Sequence, residues 1–139
     1  MKRLIILMLF GFTLQLGLAQ NLESLQPRTF EYQEGDTTFV MKQYFMCFLK
    51  KGDNREQDEK ESAELQKAHL AHINQLAADK KICIAGPFGD DGEIRGILIF
   101  ATATMEEAKQ LAENDPAVKA GRLKVELHPW WAAVNSKLF

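Results

Sequence analysis

Between Phe39 and Leu49 the chain alternates in a way that leaves both faces apolar. Phe45, Cys47 and Leu49 fall on one side, and Tyr44, Met46 and Phe48 on the other. A strand of this kind needs cover on both faces. Upstream, Thr29 to Gln33 reads as a short strand and Glu34-Gly35-Asp36 as a turn, which predicts a hairpin added at the domain's edge. Beyond the charged loop Lys50 to Gln57 the period lengthens. Leu65, His69, His72 and Leu76 recur at spacings of four, three and four, and Gln66, Leu70, Ile73 and Ala77 repeat them one position on. The pattern predicts an amphipathic helix from Asp58–Ser62 to Ala78.

Ile82 to Ala85 forms a second apolar run. The segment Gly86 to Gly92, with three glycines and a proline, reads as a turn, and Gly96 to Ala101 as a third strand. Thr104-Met105-Glu106-Glu107 has the form of a capping box opening a second helix to Glu113, with Ala108, Leu111 and Ala112 inward. Asp115-Pro116 begins a short turn that Gly121 closes. Leu123, Val125 and Leu127 then alternate with Lys124, Glu126 and His128, a final strand with one wet face that ends at His128-Pro129-Trp130-Trp131.

Strand, helix, strand, strand, helix, strand is the split βαβ order of an α+β, ferredoxin-like domain. Two helices cover one face of its four-stranded sheet. The apolar second face of the first strand therefore points to a second copy, a homodimer. In this strand order the first and second strands flank the third. Cys47 and Cys83 are then about 9–10 Å apart, two strand spacings, beyond disulfide reach. Both are expected as buried free thiols.

The N-terminus divides the chain further. Lys2 and Arg3 precede an apolar run from Leu4 to Leu18, and Gly17-Leu18-Ala19 offers small residues for cleavage after Ala19 or Gln20. Residues 1–19 read as a secretory signal peptide, 20–38 as the lead-in with its edge hairpin, 39–131 as the domain and 132–139 as a tail. The run is shorter than the roughly 20 residues that span a bilayer, so no stable span is expected after cleavage, and the protein is expected in the periplasm or outside the cell. Without Lys2 and Arg3, 15 of the 17 basic residues remain against 19 acidic ones, a formal charge of −4. A net acidic chain argues against nucleic acid as a partner.

Only three histidines are present. A histidine changes charge near neutral pH, so His69 on the apolar stripe reads either as a core residue bonded to a carbonyl or as a proton-transfer group. Asp115 before Pro116 suits a helix N-cap, and its second oxygen leaves it free to orient a histidine as well. Gly86 and Pro87 shape a turn, where Gly86 lets a ligand approach the backbone. Tyr44, Phe88 and Trp130 are aromatic candidates for a pocket wall or for core. His72 and His128 have no ligand-like spacing with His69, so no metal site is expected.

Five segments together resemble the YciI-like, or YCII-related, family across Gln43 to Trp131. They are Ala68-His69-Leu70-Ala71, Ala85-Gly86-Pro87, Glu106-Glu107-Ala108, Asp115-Pro116-Ala117-Val118-Lys119-Ala120-Gly121 and His128-Pro129-Trp130. The resemblance implies a ferredoxin-like subunit of the dimeric α+β barrel group, with two sheets packed face to face. It also implies small-molecule chemistry through a histidine–aspartate pair without a cofactor; one branch removes chloride from a chlorinated hydroxyquinone. Carried over, His69 and Asp115 are the pair, and Gly86 and Pro87 match the turn beside the cleft; Tyr44, from the aromatic candidates and not from the resemblance, is added as an expected ligand contact. Many members hold an arginine three residues before the histidine, where this chain has Gln66. Two functions follow as expectations: a cofactor-free lyase or isomerase, or a non-catalytic dimeric protein that binds a ligand or serves in stress.

Overall fold

The computed structural model describes residues 26–138. The expected signal peptide, residues 1–19, lies outside the described residues. The elements are β1 (Thr29–Glu34), β2 (Thr37–Lys51), α1 (Glu59–Ala78), β3 (Ile82–Pro87), β4 (Ile94–Phe100), α2 (Met105–Glu113), α3 (Pro116–Lys119) and β5 (Leu123–Ala133).

Strand β2 is the spine of the sheet. Phe45 pairs at once with Phe100 of β4 and Pro129 of β5, so these two strands occupy its opposite edges. Met41 pairs with both Phe30 of β1 and Ala133 of β5. Hence β1 lies end to end with β4 along one edge of β2. The core order is β5-β2-β4-β3, all antiparallel, with β2 and β3 flanking β4 as the ferredoxin-like reading requires. The N-terminal hairpin is also present. Its two-residue loop has Gly35 at φ +57°, the pattern of a type II′ turn, with glycine first.

The capping residues explain where the helices begin. Asp58 accepts the Glu61 N–H at 2.8 Å while Glu61 accepts the Asp58 N–H at 3.1 Å, a complete capping box. At α2, Thr104 accepts the Glu107 N–H at 3.1 Å. The Glu107 carboxylate is instead held by Lys81 at 2.6 Å, so only half of the predicted box forms. The core lies between the helices and one sheet face. Phe45, Cys47 and Leu49 of β2 and Leu98 and Phe100 of β4 meet Leu76 of α1 and Ala108 and Ala112 of α2. By alternation the other face carries Tyr44, Met46, Phe48, Ile97, Ile99 and Trp130.

Several expectations need correction. Strand β3 continues through Gly86 and Pro87, which pair with Ile97 and Gly96, so the turn begins only at Phe88. Proline is tolerated there because β3 is an edge strand. Edge position likewise lets β5 run through Pro129 to Ala133, past the expected stop and into the predicted tail. Cys83 is exposed, not buried, because it sits at the register irregularity between Ile82 and Ile84. On α1 most of the second apolar row is solvated: Gln66, Leu70 and Ala77 are exposed and only Ile73 packs against the core, while the buried residues are His69 and Leu76.

One close approach holds the far end of the domain. A Cβ placed on Gly52 meets the Gly121 carbonyl oxygen at 2.0 Å. Here the Gly52 N–H donates to Arg122 O at 2.9 Å and the Asn54 N–H to Gly121 O at 3.0 Å. Gly52→Ala is expected to part the two loops and cost about 1–3 kcal/mol in a urea melt. Gly89→Ala, where a Cβ has nothing within 4 Å, is expected to leave the midpoint nearly unchanged.

Candidate functional site

Helix α1 and the start of α3 bring His69 and Asp115 together across 46 residues of sequence. His69 Nδ1 lies 2.6 Å from Asp115 Oδ2, and the two residues are 8% and 1% exposed. A carboxylate only accepts, so Nδ1 carries the proton and Nε2 holds the lone pair when the ring is neutral. The same carboxylate caps α3, because Oδ1 accepts the Ala117 N–H at 2.8 Å. Both sequence readings of Asp115 therefore hold at once, one oxygen to each.

The turn that carries Asp115 is built locally. Pro116 sits at the first helical position, where no N–H is needed. Past the last turn of α3, Arg122 N–H bonds Ala117 O at 3.0 Å and Gly121 N–H bonds Val118 O at 2.9 Å. Gly121 adopts φ +70°. This is a Schellman motif with glycine at its left-handed position. The Gly52–Asn54 loop clamps its back.

Among the described residues, His69 Nε2 makes no hydrogen bond. The atom is also not sealed, since Gln57 Nε2 is the polar side-chain atom found both buried and unpartnered, and the His69 side chain keeps 10% of its surface. An open groove of about 740 Å³ lies along α1 and the end of α3, lined by Gln57, Glu61, Glu64, Leu65, Ala68 and Ala120 among others. Leu65 and Ala68 are neighbours of His69 on α1, and Ala120 ends α3. Neither His69 nor Asp115 itself lines the groove. Beneath the pair, burial pushes the Cys47 thiol up to about 12, with the Asp115 charge a lesser contribution in the same direction.

The remaining candidates fall elsewhere. His72 bonds Leu111 O through Nε2 at 3.0 Å, a bolt between α1 and α2. His128 is exposed, with Nε2 2.9 Å from Glu126 Oε1. Gly86 and Pro87 lie in the outermost strand, and a Cβ at Gly86 meets nothing within 4 Å. The tight position is its neighbour Gly96, whose Cβ falls 2.8 Å from Gly86 O. Tyr44 lies on the opposite sheet face from the pair, so the one subunit does not bring it to His69. Its ring is 6.1 Å from Trp130 and 5.2 Å from Lys42 Nζ. Burial raises the Tyr44 hydroxyl, and Cys83 adds to the rise. Sequence reading missed Lys42, although its spacing of two from Tyr44 puts both on one face. No group of three His, Cys, Asp or Glu side chains suited to a metal occurs among the described residues.

Residues 44–131, more than half the chain, match the YCII-related domain. The chain belongs to the YCII-related family. The uncharacterized protein YjpA of Bacillus subtilis (strain 168) is 28% identical over 72 residues, which are 52% of this chain and 82% of that protein. The 5-chloro-2-hydroxyhydroquinone dehydrochlorinase (TftG) of Burkholderia phenoliruptrix AC1100, solved with 2,5-dihydroxybenzoquinone, is 26% identical. That match covers 63% of this chain and 92% of the other, with a TM-score of 0.49. The YCII-related segment contains both members of the pair and excludes β1 and the first half of β2.

Three outcomes test the site and the core beneath it. Asp115→Ala leaves His69 Nδ1 and the Ala117 N–H without partners and is expected to lower stability by about 1–3 kcal/mol. With iodoacetamide on folded protein at pH 8, Cys83 is expected to react and Cys47 to stay protected until denaturant is added. Because the folded Cys47 value lies above the ordinary thiol value of 9.0, its contribution to stability is full below pH 9 and falls as pH rises toward 12. Cys47→Ala is expected to flatten that alkaline slope.

Proposed function

We propose that this YCII-related protein acts on a small molecule as a cofactor-free lyase or isomerase, with His69 as the proton-transfer group and Asp115 as the residue that orients it. The observation that carries this reading is the buried 2.6 Å contact between Nδ1 and the carboxylate, combined with an unbonded, unsealed Nε2. One ring nitrogen is fixed and the other is left with a lone pair. That arrangement suits a base that takes a proton from carbon or oxygen and returns it to a neighbouring position or a departing group, worth about 10²- to 10⁴-fold in rate. Glu61 and Glu64 line the groove, and Gln66 stands where many family members hold an arginine, which favours neutral or weakly acidic substrates such as enols and hydroxylated rings.

Two further parts belong to the same proposal. The molecule works as a homodimer, supported by the apolar sheet face of Tyr44, Met46, Phe48, Ile97 and Ile99, which the helices do not cover. It is made with a cleaved leader and acts in the periplasm or outside the cell, supported by the basic and apolar N-terminal sequence. No helix among the described residues is long and apolar enough to cross a membrane. A second reading, a dimer that binds a ligand without turning it over, is favoured by one observation: among the described residues no other acid–base side chain hydrogen-bonds the pair.

Turnover of an enol and hydroxyquinone panel by the wild type, lost in His69→Ala and reduced in Asp115→Asn, is the expected result. Equal binding of the same compounds by wild type and His69→Ala, with no turnover by either, overturns the enzyme reading and leaves the binding one. Light scattering at micromolar concentration is expected to give the mass of a dimer, and Met46→Lys that of a monomer. A wild-type monomer removes the dimer from the proposal.

A further inference from the structure

The β1–β2 hairpin stands outside the YCII-related segment, and its outer edge is unpaired among the described strands. All six residues of β1 are exposed. Gln43 N–H donates to Arg28 O at 2.8 Å. Since peptide groups alternate sides along a strand, Arg28, Phe30, Tyr32 and Glu34 direct theirs to β2. Thr29, Glu31 and Gln33 direct theirs outward. On the hairpin's apolar side Phe30 lies across from Met41 and Tyr32 across from Phe39. Phe30 and Tyr32 remain 46% and 50% exposed. The polar side carries Thr29, Glu31 and Gln33 against Lys42, Val40 and Thr38.

We propose that the β1 edge pairs antiparallel with β1 of a second copy, centred on Glu31. Keeping the apolar side opposite the apolar side restricts the pairing to registers centred on a residue rather than between two. Centring on Glu31 uses every outward group: Glu31 faces its symmetry mate and Thr29 faces Gln33 of the second copy. The same register sets Phe30 across from Tyr32 and Arg28 across from Glu34, each twice. Centring on Tyr32 opposes Phe30 to Glu34, and centring on Phe30 opposes Arg28 to Tyr32, so both lose the charge complementarity. The cost is one like-charged pair, Glu31 against Glu31, which keeps the contact weak and concentration-dependent. The two-fold axis stands perpendicular to the sheet, so the contact extends the sheet sideways and leaves the Met46–Phe48 face free. It does not rest on the function proposed above.

Sedimentation velocity from micromolar to millimolar concentration tests it, because the variants lie on the exposed hairpin away from His69 and Asp115. The wild type is expected to show a concentration-dependent association step whether its smaller species is a monomer or a dimer. Glu31→Gln is expected to tighten that step about two- to fivefold by removing the central repulsion. Arg28→Glu and Glu34→Arg are each expected to weaken it about tenfold, and the double exchange to restore it. In a Cys83→Ser background, Glu31→Cys is expected to cross-link under mild oxidation, because bonded antiparallel partners stand about 5.5 Å apart. Thr29→Cys in that background is expected not to. Absence of the step in both wild type and Glu31→Gln overturns the proposal, as does failure of the double exchange to restore what the single ones lose.

Discussion

The Asp115 carboxylate is the point on which two helices, α1 and α3, meet. One oxygen holds the first turn of α3 through Ala117, and the other holds α1 through His69. A buried carboxylate is costly unless each oxygen is satisfied, and here the two satisfactions come from different elements. The residue that positions the histidine is thereby positioned itself, by a cap shorter than 3 Å. The Schellman motif behind it and the Gly52–Asn54 loop that grips Gly121 and Arg122 remove the remaining freedom of the turn. Site geometry in this protein depends on a backbone contact between two loops, Gly52–Asn54 and Gly121–Arg122, to which neither His69 nor Asp115 belongs.

The two histidines on the inner side of α1 divide the work that either could have done. His72 gives its Nε2 to a carbonyl of α2 and leaves nothing for chemistry. His69 is fixed through Nδ1, the nitrogen nearer the backbone, and keeps the outer one. Spacing alone places both on the same stripe; the difference arises from what the neighbouring elements present, a closed helix carbonyl in one case and a carboxylate in the other. The sheet then separates this pair from Tyr44, Lys42 and Cys83 on its far face, so a single subunit carries two chemically distinct surfaces back to back.

Much of this was legible in the sequence. Alternation marked β2 with two apolar faces, the apolar period bracketed α1, the capping signal at Thr104 placed the start of α2, and Gly35 announced the hairpin. His69 and Asp115 were legible too, though only the spacing of the family's segments linked residues so far apart. Gly86 and Pro87 were misread because turn chemistry was weighed without knowing that β3 is an edge, where a proline costs no ladder bond. Pro129 misled for the same reason. Gly52 gave no signal at all: its constraint comes from Gly121, a contact that no local pattern encodes. Cys83 looked like core because its neighbours are apolar, and a register irregularity turned it outward.

The length of β2 has a consequence for how the chain assembles. Its partner along one whole edge, β5, is the last strand to be synthesised, and it pairs from Met41 through Lys51. The hairpin with β1 closes early and locally, whereas the β2–β5 ladder joins nearly opposite ends of the domain. Contacts of such long range form late and slowly. Until they do, β2 displays an open hydrogen-bonding edge beside Tyr44, Met46 and Phe48, the combination most prone to pair with a foreign strand. Assembly in the cell is therefore most exposed to error in the interval before Leu123 to Ala133 arrive, and a nascent chain truncated ahead of β5 is the species that a holding chaperone has most reason to bind.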